Sequence, residues 1–382
     1  MMLGRTDREW VEASARAAGF ALCGVASVPD DESAEAAIAG KRFAEWVQAG
    51  RAGEMEYLKR ENEAGEFLRG GLQRAIPWAR SVVVCAVNYN AEAPLSIEPA
   101  APDAGWIARY AWSGKAGKGS DYHDVLLEKL RAVEAQICAR FGGDTRCYVD
   151  TGPIVERDYA ARAGVGWIGK NTCVLNQQQG SWLLMGVIVT SLELERAAWP
   201  LPAADRCGSC TRCVDACPTE ALVWSREKPE RAMDATRCIA YLTIEKKESI
   251  DVELREKMGR QVFGCDICQD VCPWNRKAPV AMDGALPARK ELVNPALDWL
   301  AAMDGAEFNR WFRGSPVERT RRKRVLRNVA IAMGNSGEEK FLPQLREWVE
   351  GEDAVLAEMA AWAAGKITPG SDDEVDSEYG RG

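Results

Sequence analysis

Apolar and polar positions recur at different periods along the chain, and each change of period marks a predicted element. Residues 7–18 and 33–48 repeat apolar side chains at helical spacing. Thr6-Asp7-Arg8-Glu9 has the form of a capping box and predicts the opening of the first helix. Ser81-Val82-Val83-Val84-Cys85-Ala86-Val87 is a short, continuous apolar run rich in β-branched residues, which predicts a buried strand. Residues 125–141 return to helical spacing, 146–150 read as a strand, 154–163 as a helix and 182–192 as a strand. The mixture predicts an α/β domain over residues 1–195.

Trp199-Pro200-Leu201-Pro202-Ala203-Ala204 reads as a linker into a cysteine-rich second domain, 196–285. Over 286–370 the pattern is helical throughout. Segments 321–333, 338–350 and 353–367 resemble the antiparallel helix pairs of HEAT-like repeats. The tail, 371–382, carries Asp372, Asp373, Glu374, Asp376 and Glu378 and predicts disorder. The fold class expected for the whole chain is α+β.

Composition narrows this picture. A length of 382 residues suits two or three domains, and a 47% hydrophobic content is ample for their cores. No apolar stretch approaches the roughly 20 residues a membrane-spanning helix needs. Residues 1–20 show neither a basic-then-apolar signal nor a twin arginine, so a cytoplasmic protein is expected. A formal net charge of −8 argues against wholesale nucleic-acid binding but leaves room for a local basic patch.

Eight of the thirteen cysteines form one spaced array. It runs Cys207-x2-Cys210-x2-Cys213-x3-Cys217-Pro218, then Cys238, then Cys265-x2-Cys268-x3-Cys272-Pro273. Two [4Fe–4S] clusters need eight thiolates, and in bacterial ferredoxin runs of this form the fourth cysteine serves the other cluster. That rule assigns Cys207, Cys210, Cys213 and Cys272 to one cluster and Cys217, Cys238, Cys265 and Cys268 to the second. A zinc tetrad is the alternative, but zinc sites space paired cysteines rather than three at every third residue. A redox dithiol also stands as an alternative. The remaining cysteines (Cys23, Cys85, Cys138, Cys147 and Cys173) are scattered, and read as small buried hydrophobes.

Four further features carry competing readings. Gly164-Val165-Gly166-Trp167-Ile168-Gly169-Lys170-Asn171 matches G-x-G-x-x-G, yet a helical run precedes it where a nucleotide site requires a strand. A glycine-rich turn in close approach to backbone or ligand fits better. Asp150 ends a predicted strand before Thr151-Gly152-Pro153, with Pro153 suited to the next helix's first turn. It is either a helix-entry carboxylate taking backbone N–H groups or a functional acid at a strand's carboxyl end. His123, the only histidine, suits a structural role, which leaves proton transfer to carboxylates, tyrosines or this one ring. From Arg310 to Arg327 eight cations face one anion, with Trp311 and Phe312 interleaved. That run is either a solvated helix start or a phosphate-contacting surface with stacking platforms.

At these residues the chain resembles the epoxyqueuosine reductase family, which acts in queuosine biosynthesis in tRNA. The resemblance runs from about Gly53 to Asn335. Its specific stretches are Tyr148-Val149-Asp150-Thr151-Gly152-Pro153-Ile154-Val155-Glu156-Arg157, Ala163 with the glycine-rich run, and Arg237-Cys238-Ile239-Ala240-Tyr241-Leu242-Thr243-Ile244-Glu245. Cys265-Asp266-Ile267-Cys268-Gln269 and Cys272-Pro273-Trp274-Asn275-Arg276 complete it. The resemblance implies an N-terminal cobalamin-binding domain, a ferredoxin-like domain with two clusters, and a HEAT-like region that helps hold tRNA. It implies two-electron reduction of an epoxide at the anticodon wobble position to the alkene, with loss of water. It further implies Asp150 as proton donor, a carboxylic acid kept protonated in a desolvated pocket. Arg60, Asn176 and Asp266, with Asp150, match cobalamin contacts, and Arg321, Arg322, Lys323 and Arg324 would meet tRNA. A low-potential donor of flavodoxin or ferredoxin type and a monomeric state are expected. The chain departs from the family at 109–121, where an insertion obscures the alignment of Arg109 and suggests a flexible loop at the site's mouth. A cobalamin-dependent reductive dehalogenase and a two-cluster electron carrier without cobalamin are the competing readings.

Overall fold

The computed structural model describes residues 2–368, apart from 116–117, 226, 228–229 and 282–283. The acidic tail therefore lies outside the described residues.

The first half is built on a four-stranded sheet. Its strands lie in the spatial order Leu22–Ser27, Ser81–Asn88, Leu183–Thr190, Thr145–Tyr148. Every neighbouring pair is antiparallel. The strand Ser81–Asn88 reads as an unbroken apolar run because both of its faces are covered. Val83, Cys85 and Val87 pack with Val11, Leu126, Leu130 and Ile137 from helices Arg5–Ala17 and Tyr122–Phe141. Val82, Val84 and Ala86 pack on the other side with Leu72, Ile76, Ile154 and Ala160. The period of two thus sorts one strand into two cores.

Two local expectations are corrected. The first helix begins at Arg5 rather than after Thr6, because the Asp7 carboxylate accepts from the Gly4 N–H at 3.2 Å and closes the cap earlier. The helix after Asp150 begins at Glu156, so Pro153 lies in the loop before it and not in its first turn. Ser33 caps Ala34–Gln48 as the pattern suggests, accepting from Ala36 N at 3.2 Å.

Residues beyond 196 do not form separate cores. Ile107 and Trp112 pack with Tyr241, Leu242 and Phe263 of the cysteine-rich segment and with Val329, Met333 and Ala363 of the helical region. The strand Gln261–Phe263 pairs in parallel with Trp106–Ile107, which ties the cysteine-rich segment to the first half. Helices Arg321–Ser336, Leu342–Val349 and Ala354–Ile367 close the core. Arg327, 1% exposed, locks them to the cluster segment: its guanidinium donates to the carbonyls of Leu242 (2.6 Å), Lys246 (2.7 Å) and Glu248 (2.9 Å). In the 109–121 insertion, the short pair Gly114–Lys115 and Lys118–Gly119 packs beside Ser315, and Ser113 bridges to Ala288. No helix of the described residues is long and apolar enough to cross a membrane.

Candidate active site and cluster-binding loops

Asp150 stands two residues past the strand Thr145–Tyr148, with a left-handed backbone at φ +54°. A non-glycine residue in that region is uncommon and costs energy, which surrounding contacts must offset. The sheet is antiparallel, so the carboxyl-end rule of parallel sheets does not account for this position. Neither does helix entry: among the described residues no backbone N–H donates to the carboxylate. Its Oδ2 instead accepts from Tyr122 Oη at 3.2 Å. Tyr122 reaches it because Asp121 caps the helix Tyr122–Phe141, accepting from His123 N at 3.0 Å.

The Asp150 side chain is solvent-exposed in the protein alone. The buried carboxyl of this site is Glu156, pushed up to about 7 by burial first and by the Asp150 carboxylate second. Its Oε1 is buried without a hydrogen-bond partner. Burial, with Asp150 contributing, also raises the phenols of Tyr57, Tyr110 and Tyr122 and the carboxyl of Glu245. Five titratable side chains from five segments therefore surround Asp150 electrostatically. His123 is structural, as a lone imidazole suggests. Its Nδ1 lies 2.5 Å from Asp121 Oδ1 and its Nε2 lies 3.1 Å from an Arg319 N–H.

Within the array, Cys213 and Cys272 feel thiols of the first expected set, and Cys238, Cys265 and Cys268 feel thiols of the second. Cys213 is pushed up to about 12 by burial and then by Cys272, Cys207 and Cys210. Cys272 is pushed up to about 11, chiefly by burial, with Cys207 adding to it. In the second set, burial raises Cys265, and Cys238 and Cys217 add to it. Cys268 is raised by Cys173 first, then by burial and by Cys265 and Cys238. Such buried thiols keep their protons unless cationic iron replaces them. Some sulfurs already accept N–H bonds of the kind a ligating thiolate takes: Cys207 from Trp167 Nε1 at 3.4 Å and Cys217 from Ala221 N at 3.3 Å. Among the described residues no three His, Cys, Asp or Glu side chains converge tightly enough for a single metal ion. The donor chemistry thus fits two thiolate-held clusters.

The other candidates are placed less uniformly. Asp266 is buried, accepts from the Arg109 N–H at 2.6 Å, and is pushed up to about 7 by burial and then by Asp270. It acts electrostatically on Cys265 on one side and on Tyr110 on the other, so it links the second thiol set to the Asp150 surroundings. Arg109, obscure in the alignment, is buried and stacks between Trp112 and Trp182 at 5.0 and 4.7 Å. Arg60 is exposed, and its side chain makes no hydrogen bond or ion pair among the described residues. Asn176 is committed locally, donating to Val165 O at 2.7 Å and accepting from Gln178 N and Gln179 N. In the basic run, Arg321 and Lys323 are exposed, whereas Arg322 donates to Met303 O and Arg324 to the carbonyls of Thr320, Ile244 and Arg319. Sequence reasoning missed Tyr122 and Glu156, although Glu156 sits within the stretch that carries the family resemblance.

Comparison with known proteins follows this geometry. A family model described as a 4Fe-4S double cluster binding domain matches residues 206–275, and one described as epoxyqueuosine reductase QueG, DUF1730, matches residues 69–151. The epoxyqueuosine reductase of Xanthomonas campestris pv. campestris is 35% identical over 355 residues, covering 91% of this chain and 93% of its own. The chain belongs to the epoxyqueuosine reductase family. Its relative in Gloeobacter violaceus is 37% identical over 342 residues, covering 86% of this chain and 96% of that one. Among solved structures, an epoxyqueuosine reductase crystallised with an epoxyqueuosine-modified tRNA-Tyr stem loop matches with a TM-score of 0.78. That pair shares 28% identity over 94% of this chain and 89% of the other. The Streptococcus thermophilus epoxyqueuosine reductase matches at 0.78 with 27% identity, over 96% and 91% of the two chains. Family membership makes this chain an oxidoreductase with a double-cluster domain.

Proposed function

We propose that this epoxyqueuosine reductase family member reduces epoxyqueuosine in the anticodon of tRNA to queuosine, in the cytoplasm and as a monomer. The observation that carries the reading is Asp150, an exposed carboxyl held at φ +54° against Tyr122, with Asp266 between its surroundings and the Cys265 thiol. The reaction takes two electrons and two protons, breaks both C–O bonds of the epoxide, forms the alkene and releases water.

In this reading the two thiol sets hold the clusters that deliver the electrons, received from a flavodoxin- or ferredoxin-type donor. Cobalamin fits the open face where Tyr57, 49% exposed, and Asp150 lie within each other's field, with the uncommitted Arg60 three residues on. Bound there, a reduced corrin would supply the low-potential, carbon-directed chemistry that side chains lack. Arg60, Asp150 and Asp266 would hold it, and Asn176 would support it through the turn it organises. The protein's own task is the proton. Asp150 Oδ donates to the epoxide oxygen as its C–O bond breaks, while Tyr122 Oη fixes the carboxyl. Glu156, near 7, stands by as a second acid for the water that leaves.

The anticodon base has to leave its stack to reach this face, as bases of recognised RNA loops do. The exposed Arg321 and Lys323, with Arg322 and Arg324 behind them, form the phosphate-contacting surface of the reading. Titrating cobalamin into anaerobically purified protein tests the cofactor: a corrin spectrum that stays with the protein on gel filtration is expected. Passage of the corrin in the free-ligand fraction would leave only the electron-carrier alternative.

A further inference from the structure

The glycine-rich run that resembled a nucleotide site contacts no nucleotide-like cradle. It is wedged between the two thiol sets. Gly166 and Gly169 are glycines because a Cβ there would meet Leu175 O at 2.3 Å or Leu175 Cδ1 at 2.3 Å. That close approach drives Lys170 inward, where it is 3% exposed. Lys170 Nζ donates to the carbonyls of Gly208 (2.8 Å) and Cys210 (2.9 Å), the loop that carries the first set, and lies 3.6 Å from the Trp224 ring centroid. Among the described residues no carboxylate lies within ion-pair distance of it. It acts electrostatically on Asp205, whose own partner is Arg231.

Past a left-handed Thr172 at φ +62°, the same loop turns to the second set. Asn171 Nδ2 donates to Cys268 O at 3.4 Å, while Asn171 Oδ1 holds Cys173 N at 3.2 Å.

Cluster potentials rise with nearby positive charge and with hydrogen bonds to the ligating sulfurs. We infer that residues 169–171 form a strap between the two thiol sets in which Lys170 raises the potential of the Cys207, Cys210, Cys213 and Cys272 cluster. Lys170 is a positioning residue, and the inference rests on the reading that the two thiol sets hold clusters.

Its test is a spectroelectrochemical titration of the anaerobically reconstituted full chain, with iron analysis beside it. K170M should lower one reduction wave by a factor of about ten in its equilibrium, about 59 mV for one electron, and leave the other in place. K170R, which keeps the charge, should restore it. Waves unmoved in K170M at wild-type iron content would overturn the strap while leaving two clusters standing. Equal shifts in K170M and K170R would make Lys170 a packing residue and also overturn it. If K170M fails to hold iron, the neutral but hydrogen-bonding K170Q carries the same comparison. Wild-type protein with a single wave and half the iron would instead sink the cluster reading itself.

Discussion

Replacing Asp150 by asparagine separates its chemistry from its geometry. Asparagine tolerates the left-handed region better than most residues, so φ +54° is retained with little strain. Its Oδ1 can still accept from Tyr122 Oη, now 3.2 Å from the carboxylate, and its volume is unchanged. What disappears is the proton. A positioned general acid contributes about 100- to 10,000-fold to a rate, which at about 1.4 kcal/mol per tenfold is about 3–5 kcal/mol of barrier. The strain term is smaller: forcing a β-branched residue into this conformation, as in D150V, adds at least about 1–2 kcal/mol of destabilisation that D150N avoids. D150N should therefore keep wild-type unfolding behaviour, cluster content and stem-loop affinity, and lose at least 100-fold in single-turnover conversion of an epoxyqueuosine stem loop under anaerobic conditions. Conversion at the wild-type rate would remove the proton donor from the account. A loss shared equally by rate and stem-loop affinity would make Asp150 a binding residue instead.

Three further outcomes follow from other contacts. Glu156 is raised from 4.5 to about 7, so the folded chain binds its proton more tightly than the unfolded chain does. Stability should then fall as pH rises from about 4.5 to about 7, by up to about 3 kcal/mol from this group, and E156Q should flatten that part of a urea-unfolding profile. Parallel profiles for the two proteins would refute the assignment. Arg327→Met leaves the carbonyls of Leu242, Lys246 and Glu248 without their donor. At about 1–3 kcal/mol per buried unsatisfied group it should cost about 3 kcal/mol or more in thermal unfolding; a loss below about 1 kcal/mol would mean water replaces the guanidinium. Neutralising exposed Arg321 and Lys323 together should reduce the slope of log affinity against log salt for the stem loop by about 1–2. An unchanged slope would move the phosphate surface elsewhere.

Much of this was readable along the chain, for identifiable reasons. The strand Ser81–Asn88 declared itself because both of its faces are covered, leaving no polar alternation to confuse the pattern. The double-cluster segment was legible because iron–sulfur ligation fixes short spacings. Strand order and direction were not readable, since an antiparallel sheet and a parallel one share the same buried runs. Nor was the environment of Asp150. A left-handed backbone at a non-glycine residue leaves no mark in the sequence, and neither does the contrast by which Asp150 lies exposed while half-buried Glu156 has a carboxyl oxygen enclosed. Lys170 carried a visible motif with a misleading likeness. Its glycines serve close packing against Leu175, and only the fold shows that its amine ends on the carbonyls of Gly208 and Cys210. The helical region looked like a separate unit because its pattern changes near residue 286, yet Val329 and Met333 share a core with Tyr241 and Phe263.

The most direct measurement incubates the reconstituted protein anaerobically with cobalamin, a low-potential reductant and an epoxyqueuosine-containing tRNA stem loop, then weighs the released nucleosides. The account predicts queuosine, lighter than its precursor by one oxygen atom, formed in proportion to the electrons supplied. Unaltered epoxyqueuosine, from protein whose clusters and corrin are all seen to be reduced, would contradict it.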